Sequence, residues 1–186
     1  MVSRLILTVI VVAAVIVIGV GGYSAYSMFN HGTLNISAAD IPINSNVTGV
    51  YITFTAFSLH SNSSGWTNYT ISSKTVNIFG VTLNNSSFLG SLSIPAGKYT
   101  MIKVQVSAVS VDLTGTNESF TLASHYAFLN HPFTISGHST THLTLEFNLS
   151  QDLNLNSKIF TSYIGVVISL VQVIFFLSLY GDPVRQ

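Results

Sequence analysis

The chain has 186 residues, and only 6% of them are charged, with six basic and six acidic side chains that give a net charge of zero. Binding of phosphate groups is built from clustered Lys and Arg, so this composition excludes a nucleic-acid-binding protein. The chain has no cysteine, which excludes disulfides, thiolate metal sites, covalently attached c-type haem and a cysteine nucleophile.

The first predicted element is the apolar run at residues 5–20, which follows Arg4. A basic residue before such a run is typical of a signal peptide, and Gly22, Ser24 and Ala25 resemble a cleavage region. Extended by six residues, the run is also long enough to anchor the chain in a membrane. Residues 1–26 are therefore predicted to be a signal peptide or a signal anchor, and both alternatives stay open.

Residues 27–158 alternate between apolar and polar positions without sustained helical periodicity, which predicts β-strands. In the strand predicted at residues 97–111, Ile102 and Val104 fall on the buried face, while Lys103 and Gln105 mark the solvent face. The other long strands are predicted at residues 48–60 and 140–148, and shorter ones at residues 33–38, 65–71, 75–79, 88–94, 119–123 and 133–136.

Eight or nine short strands with turn-rich connections predict one all-β domain, an antiparallel β-sandwich, over residues 27–158. Trp66 is the only tryptophan of the chain. A lone Trp in a sandwich is more often a core residue than a surface on which sugars stack, so Trp66 is predicted to be buried.

The last predicted element covers residues 159–180, a run without any charge that Lys158 precedes. Its length and composition predict a transmembrane helix, followed by a short tail at residues 181–186. Gly165, Ser169 and Gln172 follow helical spacing and would share one face, which predicts a helix–helix contact. The alternative is that these three residues occur incidentally in a single-pass anchor.

Acceptor motifs of the type Asn-x-Ser/Thr all lie between the two apolar runs, where they predict an exported domain that carries N-linked glycans. Most fall at predicted turns or strand ends, whereas two, Asn35 and Asn68, fall within predicted strands and must lie on solvent faces or remain unmodified. Such dense N-glycosylation without cysteine points to an archaeal source. The acceptors are Asn35, Asn46, Asn62, Asn68, Asn84, Asn85, Asn117 and Asn148.

Short motifs between residues 32 and 153 follow a familiar order, of which the most specific are Leu89-Gly90 and then Pro95-Ala96-Gly97 with Tyr99. In this order the chain resembles the domain of unknown function 4382 family. The resemblance implies an extracytoplasmic sandwich of the immunoglobulin-like or transthyretin-like kind, often tethered to a membrane, with no established activity. Many relatives are tethered by a lipidated N-terminal cysteine, which this chain lacks.

Catalytic and metal-binding residues are not predicted. On a strand, His138 and His142 would lie roughly 13 Å apart, too far to share one ion. A site that joins His125, His131 and His138 from neighbouring loops is an alternative to the ordinary interpretation of these residues as polar surface. The carboxylates lie in no recognisable hydrolase motif, and no Gly-x-Ser-x-Gly elbow occurs. We therefore expect no enzyme activity, no metal and no cofactor.

The scarcity of carboxylates suggests a domain that faces acidic water. Carboxylates that are paired in a folded protein lose their stabilising effect when they become protonated, so a domain with few of them has little stability to lose.

The leading functional hypothesis is a membrane-anchored, N-glycosylated protein of the cell surface with a structural or recognition role, its β domain on the extracellular face. Its expected partners are the lipid membrane and its own glycans. One alternative is an accessory subunit of a multi-subunit, respiratory-type membrane enzyme, docked onto partner subunits through the C-terminal helix. Another is a filament subunit that assembles by strand donation.

Overall fold

The computed structural model describes residues 11–20, 22–23, 30–41, 43 and 46–171, with the backbone alone for residues 166–171. Residues 11–20 form a helix, α1, whose apolar side chains are exposed. Within the described ranges, no helix combines the length and the apolar character needed to cross a membrane.

From His31 onward the described chain is built mainly from β-strands. A short 3₁₀ helix at Leu83–Asn85 precedes β4, and a short helix, α2 (Leu149–Asp152), follows β8. The strands are β1 (His31–Ile41), β2 (Val47–Ser61), β3 (Gly65–Asn77), β4 (Ser87–Pro95), β5 (Gly97–Leu113), β6 (Thr116–Leu122), β7 (Tyr126–Ile135), β8 (Thr140–Asn148), β9 (Leu153–Asn154), β10 (Ile159–Phe160) and β11 (Ile164–Val171).

The first sheet has four strands in the order β11, β8, β1, β4. Strand β1 pairs antiparallel with β4 but parallel with β8. The prediction of a purely antiparallel sandwich is therefore wrong. Parallel pairing needs a long connection between the two strands, and here strands β2 to β7 lie between β1 and β8 in the sequence.

The second sheet is organised around β5, the longest strand. Along one edge β5 pairs with β2, which in turn pairs with β3. Along the other edge β7 pairs with residues 97–105 and β6 with residues 109–113, so two strands share that edge. Strands β10 and β9 continue the sheet beyond β6, with β10 parallel to β6.

The two sheets share one hydrophobic core. Alternate residues of β8, Leu143, Leu145 and Phe147, are buried, and so are the matching residues of β2 and β5. The ring of Phe147 lies 6.0 Å from that of Phe54 in β2, so aromatic side chains from both sheets pack together. This apolar contact surface stabilises the domain, since apolar area removed from water contributes about 25 cal/mol per Å².

Residues 159–171 are not helical, which corrects the predicted transmembrane helix over that part of its length. They form β10 and β11, and the domain therefore extends past residue 158. Five of the eight residues of β11 are β-branched, and its alternate positions Ile164, Val166 and Ile168 pair with Phe147, Leu145 and Leu143. A long uncharged run fits a buried strand as well as a helix, and hydropathy alone does not separate the two. Residues 172–180 and the tail at 181–186 lie outside the described residues.

Two buried aspartates accept hydrogen bonds from the backbone, and one of them, Asp152, holds the segment that leads into β11. Asp152 in α2 accepts hydrogen bonds from the backbone N–H groups of Thr161, through its carbonyl at 2.8 Å, and Tyr163, through Oδ1 at 2.9 Å. Asp40 at the end of β1 accepts one at Oδ2 from the N–H of Gly80, at 3.2 Å. Only 5% of Asp40 and 1% of Asp152 is exposed.

Burial raises the pKa of Asp40 to about 6 and that of Asp152 to about 7, from an ordinary value of 3.8. For Asp152 the neighbouring charge of Asp40 raises the pKa further, whereas the N–H of Tyr163 lowers it. Between pH 3.8 and these raised pKa values the two carboxyl groups bind more protons in the folded chain than in the unfolded chain. Their contribution to stability is therefore fully present below pH 3.8 and is lost as the pH rises through about 6 to 7.

We predict that the free energy of unfolding of the full chain falls as the pH is raised from 4 to 8. A shift of two pKa units corresponds to about 3 kcal/mol for one carboxyl group. Denaturant titration at several pH values measures this change. The control is the double variant Asp40→Asn and Asp152→Asn, in which the slope should become small. A free energy of unfolding that rises toward pH 8 would contradict the assignment, and so would an unchanged slope in the double variant.

Candidate functional site

The outer face of the second sheet carries a cluster of exposed aromatic side chains around one lysine. Trp66 lies in β3, Lys103 in β5, and Tyr126 and Phe128 in β7. The strand register brings them together. Lys103 pairs with Phe128 on one side and with Ser58 of β2 on the other, and Trp66 pairs with His60, two residues after Ser58. We call Trp66, Lys103, Tyr126 and Phe128 the aromatic patch.

The rings of the aromatic patch contact one another at their edges. The centroid of Phe128 lies 6.4 Å from that of Trp66 and 6.4 Å from that of Tyr126. The exposed fractions are 40% for Trp66, 43% for Tyr126 and 62% for Phe128. Three large aromatic side chains are thus exposed side by side, whereas single exposed apolar residues are usually scattered over a protein surface.

Lys103 lies between two of these rings. Its Nζ is 5.3 Å from the ring centroid of Trp66 and 5.3 Å from that of Tyr126, within the range of cation–π attraction. In the part of the chain that the structure describes, Lys158 forms an ion pair with Glu118, whereas Lys103 forms none. The aromatic patch therefore contains a positive charge without an acidic partner among those residues.

Neutral polar groups surround the aromatic patch. The Nδ1 atom of His60 lies 2.8 Å from Oγ1 of Thr100, and the hydroxyl of Ser58 donates to Oδ1 of Asn68 at 2.6 Å. Ser58 is only 4% exposed, so this bond holds the Asn68 side chain from below. The site offers apolar ring surface together with amide, imidazole and hydroxyl groups, but no paired carboxylates and no activated nucleophile.

The prediction that Trp66 belongs to the core is wrong. Trp66 projects from the outer face of β3, which is an edge strand of the second sheet. The sequence does not predict Tyr126 and Phe128 as site residues. The strand predicted at residues 133–136 is longer in the structure, where β7 begins at Tyr126. The alternation of residues 126–130 was the available signal, and Pro132 within the run obscured it. The prediction that Lys103 and Gln105 lie on the solvent face agrees with the structure.

The histidines proposed as a possible metal site are not brought together. Nδ1 of His125 lies 3.2 Å from the carbonyl oxygen of Val106, His131 is exposed in β7, and His138 lies in a turn beside His31. Among the residues that can be described, no group of three His, Asp or Glu side chains is placed to hold a metal ion.

The glycan acceptors are mostly exposed. Asn35 is half-buried in the centre of the first sheet, and Asn148 is half-buried at the end of β8. Asn68 is exposed on β3, so of the two alternatives given for an acceptor within a strand, it lies on a solvent face. The exposed acceptors are Asn46, Asn62, Asn68, Asn84, Asn85 and Asn117.

The residues predicted to form a helix–helix contact do not share a helix. Gly165 and Ser169 belong to β11, where they pair with Glu146 and His142 of β8. Gln172 lies outside the described residues. Gly165 and Ser169, four residues apart, therefore lie along one strand and not on one face of a helix. The helix face proposed for docking a membrane-enzyme subunit is not formed by these two residues.

Fold and site together define a β-rich domain whose candidate site is an exposed surface. The chain belongs to the family described as Domain of unknown function (DUF4382), whose family model matches residues 31–161. This confirms the resemblance found at residues 32–153. No curated protein matches the chain.

Two solved structures are similar to this chain at a distance. A candidate cell adhesion protein from Bacteroides eggerthii DSM 20697 has 9% sequence identity and a TM-score of 0.35, with 76% of this chain and 55% of the other covered. A candidate cell adhesion protein from Bacteroides ovatus ATCC 8483 has 6% identity and a TM-score of 0.28, with 79% and 46% covered. The chain thus spans about half the length of these two proteins.

We predict that Trp66→Ala lowers the free energy of unfolding by less than about 2 kcal/mol, since Trp66 is 40% exposed and its contacts with His60, Phe128 and Lys103 lie on the surface. The matched control is Phe54→Ala, which leaves a cavity in the core and should lower the free energy of unfolding by about 3 to 5 kcal/mol. Denaturant titration of the two variants measures both values. Similar costs for the two substitutions would show that Trp66 is a core residue after all.

Proposed function

We propose that this chain is an exported surface protein that carries N-linked glycans and acts by recognition rather than catalysis. Its ligand class is carbohydrate, which binds to the aromatic patch. The observation that carries the proposal is the exposure of Trp66, Tyr126 and Phe128 side by side on one sheet face.

Sugar rings fit the chemistry of this surface. One face of a pyranose presents mainly C–H groups and packs on an aromatic ring, while its hydroxyl groups need hydrogen-bond partners at the rim. The rings of the aromatic patch provide the first kind of surface, and His60, Asn68 and Gln105 lie on the same face. A protein partner would also use aromatic residues, but it needs a larger apolar centre that excludes water, and here the rings are surrounded by polar side chains.

Exposure of most acceptor asparagines supports glycosylation, because the transferred sugar must leave the surface without breaking the sheets. Asn46, Asn62, Asn84, Asn85 and Asn117 lie at turns, in the 3₁₀ helix or at the first residues of a strand. Glycans there would solvate a chain that has few charges.

We place the membrane anchor at the N-terminus rather than the C-terminus. The side chains of α1 are apolar and exposed, as in Val11, Val15, Ile16 and Ile18, so the described domain offers this helix no cover. Retention of residues 1–26 would hold the domain at the extracellular face of the cell membrane. If the chain without residues 1–26 still fractionated with membranes, this anchor would be wrong.

We predict saturable sugar binding by the full chain made in a host without N-glycosylation and kept in a detergent that contains no sugar. Trp66 is the only tryptophan, so intrinsic fluorescence reports directly on the aromatic patch. The probes are neutral oligosaccharides of glucose, mannose and N-acetylglucosamine. At least one should change the fluorescence of Trp66 in a saturable way.

The variant Phe128→Ala should bind that oligosaccharide at least about tenfold more weakly, which corresponds to about 1.4 kcal/mol. The control is Phe88→Ala, since Phe88 is also exposed and also lies against a lysine, with Nζ of Lys74 at 5.2 Å from its ring centroid. Loss of binding in Phe88→Ala as well, or no saturable change with any of the three sugars, would overturn the proposal.

A further inference from the structure

The acceptor Asn68 lies on the same face of β3 as the aromatic patch. Trp66 pairs with His60 and Asn68 pairs with Ser58, so Asn68 follows Trp66 by two positions on one side of the strand. Such positions are separated by roughly 7 Å, which is about the distance that one sugar ring covers. The first sugar attached to Asn68 is therefore close enough to Trp66 to contact its ring.

The amide of Asn68 is oriented for attachment. Its Oδ1 accepts the hydrogen bond from the buried hydroxyl of Ser58 at 2.6 Å. Its Nδ2, the atom that carries an N-linked sugar, has no hydrogen-bond partner among the described residues. Glycosylation leaves Oδ1 free to keep the bond to Ser58, so the modified side chain stays fixed and the sugar leaves in a defined direction.

The other acceptors lack this combination. Asn68 is the only one of the eight with Trp, Tyr or Phe two positions before it. Nδ2 of Asn117 already donates to Oδ1 of Asp112 at 2.7 Å and to Oγ of Ser110 at 3.3 Å, and a sugar would remove one of its two hydrogens. Asn35 is half-buried between β4 and β8.

We propose that Asn68 is a glycosylation site whose first sugar packs on Trp66, so that in the mature protein the aromatic patch is occupied by the chain's own glycan. This inference rests on the proposed carbohydrate binding and names the source of the sugar. It also gives a physical reason for the exposed rings, because the glycan covers apolar surface that the unmodified domain leaves in water.

The experiment uses the full chain made in a host that attaches N-linked glycans. Glycopeptide mass spectrometry should show a sugar on Asn68. Acrylamide quenching of Trp66 fluorescence should be weak in this protein. In Asn68→Gln, and equally in Thr70→Ala, which removes the acceptor motif but keeps Asn68, quenching should rise to the level of the chain without glycans.

The matched control is Asn62→Gln, which removes an exposed acceptor in the turn between β2 and β3 and should leave the quenching of Trp66 unchanged. An unmodified Asn68 would overturn the inference, and so would a Thr70→Ala protein with the same quenching as the glycosylated parent. If the non-glycosylated chain binds free oligosaccharides while Thr70→Ala has no effect, the self-docked glycan fails and the carbohydrate site stands. If free oligosaccharides do not bind, the proposed function fails first.

Discussion

The pairing of β5 with β2 is the interaction on which the rest of the domain depends. Both strands are long, and their register places Leu59 opposite Ile102 and Ser58 opposite Lys103. Leu59 and Ile102 are buried in the core, while Lys103 belongs to the outer face. A slip of one residue would exchange the two faces, so the apolar core and the aromatic patch are determined by the same register.

The position of the aromatic patch depends on the edge of β5 that lies opposite β2. Because β6 takes only the last residues of that edge, the first half remains for β7, which brings Tyr126 and Phe128 beside Lys103. Trp66 approaches from the opposite direction, through β3 and β2. Four strands contribute to the surface that we propose binds sugar, and the acceptor Asn68 lies on the outermost of them. The glycan at Asn68 and the rings on which it packs would thus lie on one sheet face.

Much of the strand pattern could be predicted from the sequence, and most of the candidate site could not. The strand at residues 140–148 and the solvent position of Lys103 follow from strict alternation, because one face of each strand meets the core. The predicted burial of Trp66 is wrong, since residue type does not tell on which face of an edge strand a side chain lies. For residues 159–171 an uncharged run satisfied the criteria for a membrane helix, and only its pairing with β8 distinguishes a strand. The parallel pair of β1 and β8 joins segments too distant in sequence for any local pattern to reveal.

A cross-strand disulfide tests the central claim most directly, because the chain has no cysteine of its own. Opposed residues on antiparallel strands have Cβ atoms about 4.5 to 5.5 Å apart, close to the separation in a disulfide. The register pairs Lys103 with Phe128, so the full chain carrying Lys103→Cys and Phe128→Cys should form an internal disulfide on mild oxidation. The pair Lys103→Cys and Ala127→Cys, whose side chains lie on opposite faces of the sheet, should stay reduced. Efficient crosslinking of the second pair, or none of the first, would contradict the position of β7 and with it the aromatic patch.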